Sequence, residues 1–184
     1  MNETTAADVL KFWFDDIEKV RWFKSDPDFD RELEERFGAL LAAARNGELT
    51  DWCETASGYL ALIIVLDQFS RNIFRGRADA FAADDQALQL TLDGIDKGID
   101  EELTLEQRSF FYLPLRHAED LVMQQLGLRK TRELNAAGYG SDKYALNHLQ
   151  LIERFGRFPH RNRVLGRADT IEEAQYLADG SAGF

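Results

Sequence analysis

The sequence predicts an all-α, single-domain fold of six to eight helices packed as antiparallel hairpins. Three observations lead there. Apolar residues recur at three- and four-residue spacing through most of the 184 residues, and no run of period-two alternation interrupts them. Helix-start signals punctuate the chain: Asp26-Pro27, Thr104-x-x-Gln107 and Thr170-x-x-Glu173. The length suits one domain with its own core, and no low-complexity tract or linker divides it.

The first helix is expected from about Thr5 to Ile17, where Val9, Leu10, Phe12, Trp13, Phe14 and Ile17 form a wide apolar face. The second follows Asp26-Pro27, an acidic cap with proline at the first position. Its apolar residues are Phe29, Leu33, Phe37, Leu40, Leu41 and Ala44, and Gly47 stops it. The third runs from about Ser57 to Phe69. Its segment Tyr59 to Leu66 is apolar on every side, which marks a central buried helix. A short buried strand is the competing reading of that run; length and the lack of strand partners favour helix. Its end is expected to deliver Asp67, Gln68, Arg71 and Asn72 from the core toward a loop.

A fourth helix spans about Ala80 to Lys97, with Phe81, Leu88, Leu92 and Ile95 inward and Gly98 as its stop. The Thr104 capping box opens a fifth, which Pro114 kinks or restarts. Its continuation reaches Leu126, and Gly127 is read as the break. Residues 128–140 hold at most one short helix before the loop Gly138-Tyr139-Gly140. Ser141 caps a helix through Phe155 that carries Ala145, His148, Leu149 and Ile152 on one face. The Thr170 capping box opens the last helix, to about Ala178, and the tail from Gly180 is expected to fray.

Charge narrows the function classes. The net charge is −11, with 26 acids against 13 bases in residues 1–120 and 7 against 9 in residues 121–184. Such a surface repels nucleic-acid phosphate, and no broad basic face offsets it, so a nucleic-acid partner is not expected. Cys53 is the only cysteine, so no intramolecular disulfide can form. The N-terminus lacks a basic region leading into an apolar run, and the longest apolar run is far short of a membrane span. The expected location is cytoplasmic, without a membrane partner.

Against this acidic background one phrase occurs twice. Arg71-Asn72-Ile73-Phe74-Arg75-Gly76-Arg77-Ala78-Asp79 returns as Arg161-Asn162-Arg163-Val164-Leu165-Gly166-Arg167-Ala168-Asp169, with six of nine positions identical. From Arg154 to Arg167 there are five arginines and a histidine and no carboxylate. A guanidinium presents a planar fork of donors that fits carboxylate or phosphate. Arg71, Arg75, Arg157 and Arg161 are therefore candidate anion clamps, and Asn72 and Asn162 candidate orienting amides. Asp67, Glu119 and Asp120 are the acids expected beside them. The alternative is that these arginines cap helix ends or pair internally as struts.

A second constellation is Tyr112-Leu113-Pro114-Leu115-Arg116-His117-Ala118-Glu119-Asp120. Histidine beside carboxylates can transfer protons, so His117 and His160 are the candidate catalytic residues. His148, on an apolar helix face, reads as a hydrogen-bonded core histidine. A metal site of two histidines and a carboxylate is set aside, because the histidines lack ligand spacing and the arginines would repel a cation. No cofactor is expected: there is no P-loop, no Gly-x-Gly-x-x-Gly and no Gly-x-Ser-x-Gly. Two functions compete. One is an Arg/His/Asn-lined pocket for a small anionic metabolite, with catalysis left open. The other is a non-enzymatic scaffold binding a peptide or protein, with the arginines as struts.

Four blocks resemble a known family. They are Ala7-Asp8-Val9-Leu10-Lys11-Phe12-Trp13-Phe14, Leu66 through Gly76, Tyr112 through Asp120, and Ile152-Glu153-Arg154-Phe155-Gly156-Arg157-Phe158-Pro159-His160-Arg161-Asn162. In order and across nearly the whole chain, they are similar to the bacterial domain-of-unknown-function family nine-two-four. The resemblance implies an all-helical, tetratricopeptide-like fold and carries no activity with it. Two positions depart from its pattern: Ser70 stands in place of proline, and Arg116 in place of a less charged residue.

Overall fold

Thr5 opens the first helix with a reciprocal cap: its hydroxyl accepts from the Asp8 amide, and the Asp8 carboxylate accepts from the Thr5 amide. The computed structural model describes residues 4–180, and among them every regular element is helical. The tail beyond Gly180 lies outside the described residues. Helix α1 (Ala6–Lys11) widens into a π turn over Phe12–Asp16, in which Phe12 and Trp13 are buried. Asp26 caps α2 (Pro27–Arg45) by accepting from the amides of Asp28 and Phe29. The buried stripe of α2 is Phe29, Leu33, Phe37, Leu41 and Ala44.

Helix α3 (Ala56–Ile64) is the centre of the molecule. Every residue from Gly58 to Ile64 is buried, as its all-round apolar sequence requires. Helix α1 crosses one side, and α5 (Asp84–Asp96) and α6 (Leu105–Phe111) pack on others. Large rings fill the space between elements. Phe37 lies 5.0 Å from Phe12 and 4.9 Å from Phe69, Trp13 lies 5.6 Å from Phe69, and Trp22 lies 4.7 Å from Phe110. Each fully buried ring of this size contributes about 1.5–3 kcal/mol by leaving water.

The chain does not leave the core after Phe69. Helix α3 runs through a π segment, Val65–Phe69, directly into α4 (Ser70–Ile73). Asp67, Gln68 and Asn72 are thus helical and buried, and Arg71 is helical and half-buried, where the sequence reading had these four delivered from the core toward a loop. Helix α5 also differs from expectation. Its buried stripe is Ala87, Thr91 and Gly94, while Leu88, Leu92 and Ile95 are only partly covered. The cause is close packing. A Cβ on Gly94 would stand 2.5 Å from Cζ of Phe111, and the Thr91 hydroxyl donates to the Phe111 carbonyl.

The Thr104 box opens α6, and Pro114 restarts the chain as α7 (Leu113–His117). Residues 118–120 then turn, and Asp120 caps α8 (Leu121–Ala136) through the Met123 amide. Gly127, read from the sequence as a break, lies within α8. A Cβ there would come within 3.1 Å of Arg116 Cγ and 3.2 Å of Leu115 Cβ, so glycine lets α7 seat against α8. Helix α9 (Lys143–Phe155) returns along α8 as a hairpin, with Leu128, Ala145 and Leu149 between them. The second arginine phrase follows as a 3-10 turn, Pro159–Arg161, and a run of turns, before α10 (Ile171–Ala178). This is an all-helical single domain, and its hairpin packing is consistent with a tetratricopeptide-like arrangement. Among the described residues no helix is long and apolar enough to cross a membrane.

Candidate functional site

The π segment of the central helix positions the first group. A π turn widens the helix and re-aims its side chains, and such turns recur at functional sites. Here it holds Asp67 at 1 % exposure among charged partners. Arg71, one turn on, lies 2.9 Å from the Asp67 carboxylate and donates to the Asp67 carbonyl. His117 Nδ1 lies 2.7 Å from Asp67 Oδ1. Burial alone would raise the Asp67 pKa, but the Arg71 charge, His117 and Gln68 more than offset it and hold the group well below the usual carboxylate range. An anionic Asp67 accepts from Nδ1 of a neutral His117, so Nε2 is left as the basic nitrogen of the ring.

Asp84, at the start of α5, joins the two arginine phrases. It takes a two-pronged bond from Arg71, at 2.9 Å for each nitrogen, and a longer contact of 3.4 Å from Arg161. Arg161 has 7 % of its surface exposed and stacks between two phenyl rings, 4.6 Å from Phe81 and 4.5 Å from Phe158. Its Nε is buried and has no hydrogen-bond partner among the described residues. Burial first, then the neighbouring Arg71 charge, push the Arg161 pKa down to about 10.

Helix α7 contributes Arg116 beside His117. Among the described residues no carboxylate lies within ion-pair distance of the Arg116 guanidinium, and its Nε is buried without an acceptor. Desolvation pushes its pKa down to about 10. His148 of α9 completes the group, 5.3 Å from Phe158 and 6.4 Å from His117 between ring centres. Burial, then the charges around it, push His148 down to about 2; burial, then the Arg71 charge, lower His117 too, although Asp67 opposes this. Desolvation and Arg161 push His160 down to about 4. All three imidazoles are therefore neutral near pH 7.

These groups surround one cavity of about 630 Å³. Arg71, Arg75, Arg116 and Arg161 give it charge, and His117, His148 and His160 give it imidazoles. Phe23, Phe81, Leu113, Tyr144 and Phe158 supply an apolar wall. Of the residues singled out in the sequence, Arg71, Arg75, His117, His160 and Arg161 line this cavity. Asp67 supports it from behind through Arg71 and His117.

The remaining candidates lie outside the lining and act as internal struts. Asn72 donates to Asp30, the same carboxylate that Arg75 grips with two nitrogens at 2.6 and 2.8 Å. Asn162 donates to Asp169 and accepts from Arg167. Arg157 forms a two-pronged bond with Glu173, which is itself buried and caps the last helix. Glu119 holds the second phrase in place by accepting from Arg167 and from the Phe158 amide. Asp120 is the α8 cap, and among the described residues it makes no hydrogen bond or ion pair with the phrases. Sequence reasoning missed Arg116 and His148 as residues lining the cavity. The signal for Arg116 was present: it adjoins His117 and departs from the pattern its block resembles.

The family described as "Bacterial protein of unknown function (DUF924)" matches residues 9–181 of this chain. Among solved structures, that of a protein of unknown function from Agrobacterium tumefaciens is similar over 95% of this chain and 97% of its own, with 42% identity and a TM-score of 0.86. No curated protein matches.

Proposed function

The chain belongs to this bacterial family, DUF924, and on that premise we propose that its arginine-lined cavity binds a small anionic metabolite, with His117 as the proton-transfer group. One observation carries the reading. Arg116 and Arg161 both line this cavity, and among the described residues the buried Nε of each has no acceptor. Burying a guanidinium without its hydrogen bonds is costly, and a bound carboxylate or phosphate would satisfy the planar fork.

The strut reading, and with it the scaffold that binds a peptide or protein, is supported at Arg75, Arg157 and Arg167, each held by its own carboxylate. It gives no reason for Arg116. The neutral imidazole of His117, oriented by Asp67, has the arrangement of a general base, with Nε2 as its acceptor. That supports proton transfer to or from an anion held by the arginines. The test is a thermal-shift screen over carboxylated and phosphorylated metabolites. A specific binder at saturating concentration raises the melting temperature of the wild type and not that of Arg116→Met. A screen in which no anion stabilises the protein, or in which both proteins respond alike, would remove the reading.

A further inference from the structure

Resting on the anion-site reading above, we propose that the occupant is an amphipathic monoanion. Its carboxylate is held by Arg116 and Arg161, and its aromatic or branched apolar body lies against Phe81, Leu113, Tyr144 and Phe158.

The charge inventory sets the valence. Arg75 is neutralised by Asp30 at the edge of the site. Three guanidiniums remain, Arg71, Arg116 and Arg161, and two carboxylates face them, Asp67 and Asp84. One positive charge is left over. A carboxylate matches it. A phosphate dianion would bring a second negative charge into a site whose buried Asp67 is held ionised and whose histidines are held neutral.

The wall sets the rest of the ligand. Phe158 is 1 % exposed and Leu113 4 %, so the inner wall is rigid and apolar. At the other extreme, Tyr144 is 55 % exposed and Phe23 75 %, and both border the same cavity. Large rings left in water beside a cationic cavity offer an apolar body a place to be covered. Arg161 stacks between Phe81 and Phe158, which fixes the plane of its fork at the cavity wall. The cavity, about 630 Å³, has room for more than an inorganic anion.

The experiment is isothermal titration of the full chain with phenylacetate, acetate, phenyl phosphate and benzyl alcohol. Phenylacetate is expected to bind about ten- to a hundredfold more tightly than acetate, as burial of a phenyl group implies. It should also exceed phenyl phosphate and benzyl alcohol. Arg116→Met and Arg161→Met should each weaken phenylacetate about tenfold or more. Equal binding of acetate and phenylacetate, or preference for phenyl phosphate, would overturn this inference while leaving the anion site standing. Benzyl alcohol binding as tightly as phenylacetate would overturn the arginine contact. Binding by none of the four would remove both. The ligand series on the unaltered protein decides between these outcomes even if a variant fails to fold.

Discussion

Arg71 and Arg161, ninety residues apart in sequence, meet on the single carboxylate of Asp84, but they are not equivalent there. Arg71 holds Asp84 with two nitrogens and Asp67 with a third contact, while Arg161 makes one long contact and keeps a buried Nε without an acceptor. The two phrases therefore bring one fully paired and one partly paired guanidinium to the same junction.

That asymmetry has a measurable consequence for stability. Arg71→Met leaves Asp67 and Asp84 buried or half-buried without their main partner, and the expected loss is about 3–5 kcal/mol. Arg161→Met removes a desolvated charge with little pairing to lose, and the expected change is within about 1 kcal/mol, or a gain. Urea denaturation of the two variants compares them directly. Equal losses would mean that both arginines are struts.

Asp67 supports the proton affinity of His117. It raises the histidine's pKa, while burial and Arg71 lower it. Asp67→Asn should therefore move the His117 titration midpoint further below the ordinary value of 6.5. Histidine ring proton shifts followed against pH report this. An upward or absent shift would show that the contact between Asp67 and His117 does not persist in solution.

Acid should destabilise the protein earlier than its carboxylates require. His148 has a folded pKa of about 2 against 6.5 when unfolded, so as pH falls below 6.5 the unfolded chain takes up the proton first. Stability held in full above 6.5 is lost as pH falls, by about 2 kcal/mol at pH ~5 for this one histidine. His148→Gln should flatten the pH dependence of the melting temperature between about 6.5 and 4. An unchanged slope would contradict the burial of a neutral His148.

The seat of α5 on Phe111 can be tested by one methyl group. Gly94→Ala places a Cβ 2.5 Å from Phe111 Cζ, and the expected loss is about 1–3 kcal/mol even though alanine is the better helix former. A stabilised variant would mean that the two elements separate freely.

Elements with local signals were legible in the sequence. Asp26-Pro27, Thr104 with Gln107 and Thr170 with Glu173 cap the helices they were expected to open. The apolar run from Tyr59 to Leu66 is the buried centre. What failed depended on tertiary contact. Nothing local announces that Gly127 serves close packing against Arg116, or that a π segment keeps Asp67 inside the helix. In the site, residue type located the charge but could not assign it. Asn72 and Arg75 share Asp30, forty-two and forty-five residues away, and only the fold reveals that partner. Arg116, one residue before the histidine singled out, has a buried Nε that the same long-range packing leaves without an acceptor among the described residues.

The most direct test observes the two guanidiniums themselves. In a nitrogen-15-labelled sample, the Nε–H resonances of Arg116 and Arg161 can be followed during titration with phenylacetate. The account predicts that both shift together and saturably, while the Nε–H signals of Arg75 and Arg157, already held by Asp30 and Glu173, stay in place. Unmoved Arg116 and Arg161 signals at saturating ligand, or shifts confined to arginines outside the cavity, would contradict it.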